Sequence, residues 1–185
     1  FAAWQRQYLQ GDVLEKQLAF WRQTLGDEQP ILSLPTDYPR PSVQSYKGEG
    51  FAFNLDPDVC QRIQALHKGD NSVSPFVFLL GSFQLLLKHY AGQDDIRVGV
   101  PNANRSRLDT QSLVGFFVNT LVLRSQFTSG LSVNAFFQTL GQHSLAAQAH
   151  QEVPFELLVD ELVAERELKH SPLFQVMFNF LQGDH

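Results

Sequence analysis

The clearest hydrophobic pattern lies near the start of the chain, where Leu14, Leu18, Trp21 and Leu25 recur at helical intervals. Such spacing places the four side chains on one face and predicts an amphipathic helix. The stretch from Asp12 to Glu15 has the spacing of a capping box, so we expect Asp12 to cap the first turn. Gly26 follows the last apolar position and is expected to end this helix.

Further start signals predict four more helices. Start signals at Asp56-Pro57, Ser74-Pro75, Ser132 and Pro154 precede apolar runs with helical spacing. They predict helices over 57–68, 75–90 and 154–163, and one that Ser132 caps and whose apolar face reaches Ala147. Alternating or continuous apolar runs predict strands at 51–55, 96–100, 116–127 and 173–181. Strands that alternate with helices indicate an α/β fold, with a mixed sheet covered by helices.

Between the first helix and the first predicted strand, four prolines occur within 27–48. Proline holds its neighbours extended, so this segment is predicted to be an extended linker. The helix before it cannot form a core by itself. We therefore expect the chain, residues 1–185, to form a single unit, with the linker inside it.

The composition argues against nucleic-acid binding, a membrane-spanning segment and an internal disulfide. The formal net charge is −5 and no dense Lys/Arg stripe is present, which argues against nucleic-acid binding. The longest apolar stretch, 73–87, is interrupted by polar residues and is shorter than the ~20 residues needed to cross a bilayer. With one cysteine, Cys60, no internal disulfide can form. We expect a soluble protein of the cytoplasm.

Spacing alone indicates no complete active site. The six histidines do not form a pair with a carboxylate at metal-ligand spacing, so no metal site is predicted. Cys60 lies near the apolar face of its predicted helix, which favours an inert thiol over a nucleophile. No bound cofactor is predicted either.

Two polar pairs within apolar surroundings are the candidates for function. Asn119-Thr120 interrupts the predicted strand at 116–127, and His150-Gln151 lies where one helix ends and the next begins. A buried amide must be hydrogen-bonded or it costs ~1–3 kcal/mol. Asn119 is therefore either a structural amide that joins two loops or an amide that faces a substrate path. The pair at 150–151 either caps the helix ends or faces a substrate path.

Four segments in order resemble the signatures of nonribosomal peptide synthetase condensation domains. Phe1-Ala-Ala-Trp4 resembles the end of one motif, and Val114-Gly-Phe-Phe-Val-Asn-Thr120 resembles Ile-Gly-x-Phe-Val-Asn-Thr. His150-Gln-Glu-Val-Pro-Phe-Glu156 resembles His/Asn-Gln-Asp-x-Pro-Phe-Glu, with Glu152 in place of Asp. The segment 166–175, which ends in Pro172-Leu-Phe-Gln175, resembles Arg-Asp-x-Ser-Arg-x-Pro-Leu-Phe-Gln and departs from it at Glu167, Lys169 and His170.

The resemblance implies a fold and an activity. Such domains consist of two lobes that resemble chloramphenicol acetyltransferase, with a substrate tunnel between them. The amine of one carrier-bound aminoacyl group attacks the thioester on another carrier, and both substrates are held on phosphopantetheine arms. The implied partners are an N-terminal lobe, upstream and downstream carrier domains and an adenylation domain. The residues expected to shape the tunnel or the lobe interface are Gly115, Phe116, Phe117, Asn119, Thr120, His150, Gln151, Pro154, Phe155, Glu156, Pro172, Phe174 and Gln175.

The catalytic His-His-x-x-x-Asp-Gly motif of the family does not occur in this sequence. In the family it precedes the segment that resembles Phe1–Trp4, within the other lobe. We therefore expect this chain to be most of a C-terminal lobe, truncated at both ends, inactive alone and prone to self-association. The alternative is a non-catalytic relative that binds carriers or docks other domains.

Overall fold

A computed structural model describes residues 1–39, 41, 43, 45, 47–66, 73–105, 107–163 and 170–181. The end of the predicted helix at 57–68, the segment 166–169 of the fourth motif, and the histidines at 67 and 185 lie outside these described residues.

Helices dominate the described chain, and two long strands lie between them. The elements in order are α1 (Ala2–Tyr8), α2 (Gly11–Leu25), α3 (Pro57–Leu66), α4 (Pro75–Ala91), β1 (Asp95–Asn102), a 3-10 turn (Leu108–Thr110), β2 (Asn119–Gln126), α5 (Val133–Ala149) and α6 (Phe155–Leu162). The predicted α/β class is confirmed. Helix α1 was not predicted.

The helix ends follow local chemistry. Ser74 and Ser132 accept hydrogen bonds from Val77 N and Ala135 N, and so cap α4 and α5 as predicted. Gly92 ends α4 in the left-handed conformation, with φ of 64°.

The predicted capping role of Asp12 is wrong. Gln10 is the N-cap of α2, without a side-chain hydrogen bond, and Asp12 lies in the first turn. The reason is that α1 ends at Tyr8, so the chain turns into α2 before Asp12 is reached.

The sheet is smaller than the sequence pattern predicts. Strands β1 and β2 pair antiparallel, from Asp95 opposite Gln126 to Asn102 opposite Asn119. The predicted strand at 173–181 contributes a single parallel bridge, in which Gly99 N donates to Val176 O (3.0 Å) and Phe178 N donates to Gly99 O (2.9 Å).

Two other strand predictions need correction. Residues 116–118 precede β2 and are not part of it, and 51–55 form no strand. In 51–55 the alternating side chains do not pack, since Phe51 is 91% exposed and Phe53 is 74% exposed. A strand requires a hydrogen-bonding neighbour, and no pairing of these residues with another described segment is present.

One apolar core joins the sheet to the helices around it. Trp21 and Leu25 of α2, Leu80 of α4, Ile96 of β1 and Leu140 of α5 are almost fully buried. Each such side chain stabilises the fold by roughly 1.5–3 kcal/mol relative to exposure. Helix α2, at the start of the chain, therefore packs on the rest of the protein.

A buried charge network fastens the end of α2 to the sheet. Both Arg97 and Arg124 contact the Asp95 carboxylate, Arg124 through two hydrogen bonds of 2.9 and 2.8 Å. Arg97 also donates to the carbonyls of Leu25 and Glu28, each at 2.9 Å. Burial raises the pKa of Asp95, but hydrogen bonds and the positive charges of the two arginines outweigh it, so that the pKa lies below its ordinary value.

The described residues of 27–48 contain no helix or strand. Side-chain amides hold part of this segment to the body. Gln93 accepts from Ser33 N at 2.7 Å and donates to Ile31 O at 3.0 Å, while Gln175 accepts from Leu32 N at 2.6 Å. Residues 31–33 are thus extended and attached rather than free.

Candidate functional site

The Asn119 side chain lies at the centre of the region where the second and third motif segments meet. Its amide nitrogen donates to Gln151 O at 2.8 Å and Val153 O at 2.7 Å. Its amide oxygen accepts from Thr120 N at 2.9 Å and Phe155 N at 3.0 Å. An amide has two donor hydrogens and two acceptor lone pairs. All four are used by backbone, which corresponds to the structural interpretation of this residue and leaves no group for a substrate.

His150 fixes the other end of the same junction. Its ring stacks on Phe20, with centroids 3.9 Å apart, and its Nδ1 lies 2.8 Å from Ala146 O. Its carbonyl accepts from the indole nitrogen of the buried Trp21 at 3.0 Å. His150 therefore connects α2 with the end of α5, and its partly buried ring has one face on Phe20.

The loop before β2 is the exposed part of the site. Val114 and Phe116 are almost fully exposed, at 104% and 90%, whereas Phe117 turns inward. At Gly115 an added Cβ would meet the ring of Phe117 at 3.1 Å. The two apolar side chains at 114 and 116 form a tip that faces solvent in this structure.

The third and fourth motif segments meet through aromatic packing. Pro154 is the N-cap of α6, and Phe155 in its first turn packs on Phe174 with ring centroids 5.4 Å apart. Phe174 also fills the space above Gly99, where a Cβ would approach its ring to 2.6 Å. Any larger residue at 99 would therefore displace the ring of Phe174.

The remaining predicted residues have separate positions. Glu156 is exposed in the first turn of α6, where the helix dipole favours a negative charge. The carbonyl of Pro172 accepts from Phe174 N at 2.8 Å, across Leu173, which has φ of 66°. Gln175 donates to Ser171 O at 3.0 Å and binds the extended segment at Leu32. Pro172 and Gln175 thus shape the local chain and do not reach the Asn119 junction.

Two arginines that the sequence did not single out support the exposed loop. Arg105 lies 4.3 Å from the centre of the Phe117 ring and donates to Leu113 O at 2.9 Å and to Thr110 O. Arg107 lies 4.5 Å from the centre of the Trp4 ring and pairs with Asp109 at 2.7 Å. A cation over a ring face is attracted by the ring quadrupole. Both arginines are local in sequence to the loop, but their ring partners could not be predicted from spacing.

The chemistry available to the site depends on its titratable side chains. Within the described chain, no group of three or more His, Cys, Asp or Glu side chains is placed to hold a metal ion. In the third motif segment, the Ala146 carbonyl can only accept, so His150 Nδ1 carries the hydrogen and this bond does not use the Nε2 lone pair. Oε2 of Glu152 is buried without a hydrogen-bond partner among the described residues, and Glu156 is exposed to solvent. No described helix combines the length and apolarity that crossing a membrane would require.

The family model for the condensation domain matches residues 1–184. The chain belongs to the condensation-domain family. Among curated relatives, it is 48% identical over 178 residues to a linear gramicidin synthase of Brevibacillus parabrevis, an alignment that covers 96% of this chain and 4% of the relative. It is 42% identical over 179 residues to tyrocidine synthase 3 of the same organism, covering 97% of this chain and 3% of the relative.

Solved structures show the same fold. A four-domain nonribosomal peptide synthetase with AMP and glycine bound superposes with a TM-score of 0.87 at 26% identity, over 92% of this chain and 13% of that one. The condensation domain of a monacolin K polyketide synthase superposes with a TM-score of 0.82 at 25% identity, over 95% of this chain. The matched region is 43% of that condensation domain's chain. The chain thus corresponds to less than half of a solved condensation domain and to a few per cent of the synthetases.

Proposed function

We propose that this chain forms the C-terminal lobe of a domain that joins carrier-bound aminoacyl or peptidyl thioesters through a peptide bond. The observation that carries the proposal is the match of the condensation-domain family model to residues 1–184, together with 48% identity to a gramicidin synthase. Further support comes from the contact between the second and third motif segments at Asn119.

In the proposed reaction the amine of the downstream aminoacyl group attacks the carbonyl carbon of the upstream thioester. The C–N bond forms, the C–S bond breaks, and the phosphopantetheine thiol leaves. The amine must also lose a proton, and this sequence lacks the family's His-His-x-x-x-Asp-Gly motif. We assign that step to an N-terminal lobe with the His-His-x-x-x-Asp-Gly motif, so the isolated chain is inactive.

The contribution of this lobe is to hold two tethered substrates in a fixed geometry. Positioning converts an encounter between two carriers into an effectively unimolecular step, which can supply ~7–11 kcal/mol of rate enhancement. The amide of Asn119 fixes four backbone groups at once and so makes the wall built from 119–120 and 151–155 rigid. A rigid wall is what such positioning requires.

The exposed tip at 114 and 116 is proposed to contact the N-terminal lobe. Val114 and Phe116 are the most exposed apolar residues near the motif segments, and an interface with the other lobe would remove their side chains from water. Without the other lobe this surface supports self-association. Carrier domains and an adenylation domain are the further partners proposed, with substrates on phosphopantetheine, no bound cofactor and a cytoplasmic location.

A lobe-exchange chimera tests the proposal. The 178 matched residues of a condensation domain in the linear gramicidin synthase are replaced by the corresponding residues of this chain, with the relative's own N-terminal lobe retained. Single-turnover dipeptide formation is measured with loaded donor and acceptor carriers. We expect product from the chimera and none when its catalytic histidine motif is disabled.

The chimera also separates the two functions that the sequence leaves open. A chimera that folds and binds both carriers but forms no dipeptide would contradict the proposed role and favour a non-catalytic, carrier-binding relative. The unmodified relative serves as the control for carrier loading.

A further inference from the structure

Helix α1 contacts two of the motif segments while burying none of its own residues. The aromatic side chains of the N-cap Phe1 and of Trp4 and Tyr8 form a continuous row, with ring centroids 5.7 Å apart between the first two and 5.0 Å between the last two. A helix without a buried face obtains little stability from the core. Its position must therefore come from what this row of rings contacts.

Each ring at the start of the row has a different contact on the body. Phe1 packs edge to face on Phe117 of the loop before β2, at 4.9 Å between centroids. Trp4 lies against the guanidinium group of Arg107, 4.5 Å from the ring centre. Phe117 has Arg105 4.3 Å from its ring centre, so the stack continues past α1 into the loop.

At its far end the row reaches the third motif segment. The negative charge of Glu152 raises the pKa of the Tyr8 hydroxyl, and burial and a hydrogen bond with the same carboxylate raise it further. Oε2 of Glu152 is buried and has no hydrogen-bond partner among the described residues. Trp4, Tyr8, Arg107 and Glu152 line one hollow between α1 and the body.

We propose that α1 is a positioning strap: Phe1, Trp4 and Tyr8 hold the loop 107–118 and the segment 150–156 in one arrangement, and thereby fix the exposed tip at Val114 and Phe116. The strap contacts these two segments at the protein surface, whereas the buried Asn119 side chain joins them through hydrogen bonds. The inference rests on the proposed function and deepens it, because it names residues that position the lobe-interface tip without touching a substrate.

The loop has few other means of keeping its position. The tip residues contribute no buried surface, and the described loop residues other than the 3-10 turn adopt no regular structure before Asn119. Arg105 ties the start of the loop to its middle, through Thr110 O and Leu113 O. The rings of α1 therefore supply an external contact to a loop that otherwise binds mainly to itself.

Distance measurements between spin labels test the strap on the 185-residue chain. Labels are placed at Val114→Cys on the tip and Gln142→Cys on the exposed side of α5, with Cys60→Ser to remove the native thiol. We expect a narrow distance distribution in this background. Trp4→Ala should broaden it, whereas Trp4→Phe, which keeps a ring, should preserve it.

Phe1→Ala provides a second, milder change, and Tyr38→Ala is the matched control. Tyr38 is an aromatic residue that is 83% exposed and lies in the extended segment. Far-UV circular dichroism shows that each variant remains folded. Distributions that stay narrow in both Trp4→Ala and Phe1→Ala would overturn the strap.

The consequence for function is measured in the lobe-exchange chimera. We expect Trp4→Ala to lower the rate of dipeptide formation by roughly 10- to 100-fold, the loss typical of small misplacements, with Trp4→Phe restoring the rate. A broadened tip with an unchanged rate would overturn the positioning role. An inactive parent chimera would contradict the proposed function instead, and the spin-label distances would then decide the strap by themselves.

Discussion

Replacing Asn119 by alanine is the most informative substitution at the junction. Only 8% of the residue surface is exposed, and truncation removes four hydrogen bonds to backbone. Two carbonyls, of Gln151 and Val153, and two amides, of Thr120 and Phe155, lose their partner together. The structure also provides a matched control, since Asn102 lies directly opposite Asn119 in the β1–β2 ladder.

The size of the effect follows from the number of bonds lost. A typical intramolecular hydrogen bond contributes ~0.5–1.5 kcal/mol net, so four bonds set a range of roughly 2–6 kcal/mol. Water that enters the vacated space satisfies part of the loss, and we expect Asn119→Ala to lower the free energy of unfolding by about 3 kcal/mol. Asn102 makes one such bond, to Asn104 N at 2.7 Å. Asn102→Ala should therefore cost only ~0.5–1.5 kcal/mol.

Urea unfolding followed by tryptophan fluorescence measures the difference. With m of ~2 kcal/mol/M, the midpoint should fall by about 1.5 M for Asn119→Ala and by about 0.5 M for Asn102→Ala. Amide hydrogen exchange should accelerate selectively at Thr120 and Phe155. Equal midpoints for the two variants, or unchanged exchange at both amides, would refute the assignment of Asn119 as the structural centre of the site.

Three further predictions concern the core that supports the site. The pKa of Asp95 lies below its ordinary value, so its contribution to stability is complete above the unfolded-state pKa and is lost as pH falls through the folded-state pKa. Asp95→Asn should remove this acid-dependent component, measured by thermal unfolding between neutral pH and pH ~2. An unchanged pH profile of the melting temperature would contradict the prediction. Gly99→Ala should destabilise the fold by ~1–3 kcal/mol because the added Cβ would meet the Phe174 ring at 2.6 Å. In a double-mutant cycle, Phe174→Leu should recover part of this loss. If the effects of the two substitutions on the unfolding free energy simply add, the clash is not the cause. Gly81→Ala in α4 should likewise destabilise the fold, since a ring atom lies 2.5 Å from the position of the added Cβ. Gly141→Ala in α5, where the nearest atom is 4.0 Å away, should instead stabilise it by ~0.5–1 kcal/mol. Equal effects of the two substitutions on the melting temperature would contradict this description of the packing.

The sequence predicted those parts of the fold that depend on neighbouring residues. The starts of α4 and α5 were correct because Ser74 and Ser132 cap amides three residues away. Parts that depend on distant segments were predicted less well. The apolar run at 173–181 has strand character, but it forms only one bridge to β1, at Gly99.

In the candidate site, too, features that depend on neighbouring residues were predicted and contacts with distant segments were not. Asn119 was noticed because a polar residue interrupts an apolar strand, yet its partners at 151, 153 and 155 are backbone groups, which leave no signature in the sequence. Helix α1 was missed although Phe1, Trp4 and Tyr8 have helical spacing, because the pattern covers only seven helical residues and none of them is buried. Its contacts with Arg107 and Phe117 join residues about a hundred positions apart, which spacing cannot reveal.

We propose, above all, that this chain supplies half of a peptide-bond-forming site and depends on another lobe for the catalytic histidine motif. The sharpest test mixes the chain with a separately purified N-terminal condensation lobe and with loaded donor and acceptor carriers. We predict dipeptide from the mixture and none from either lobe alone. Dipeptide from this chain alone, or none from lobes that demonstrably associate, would contradict the proposal.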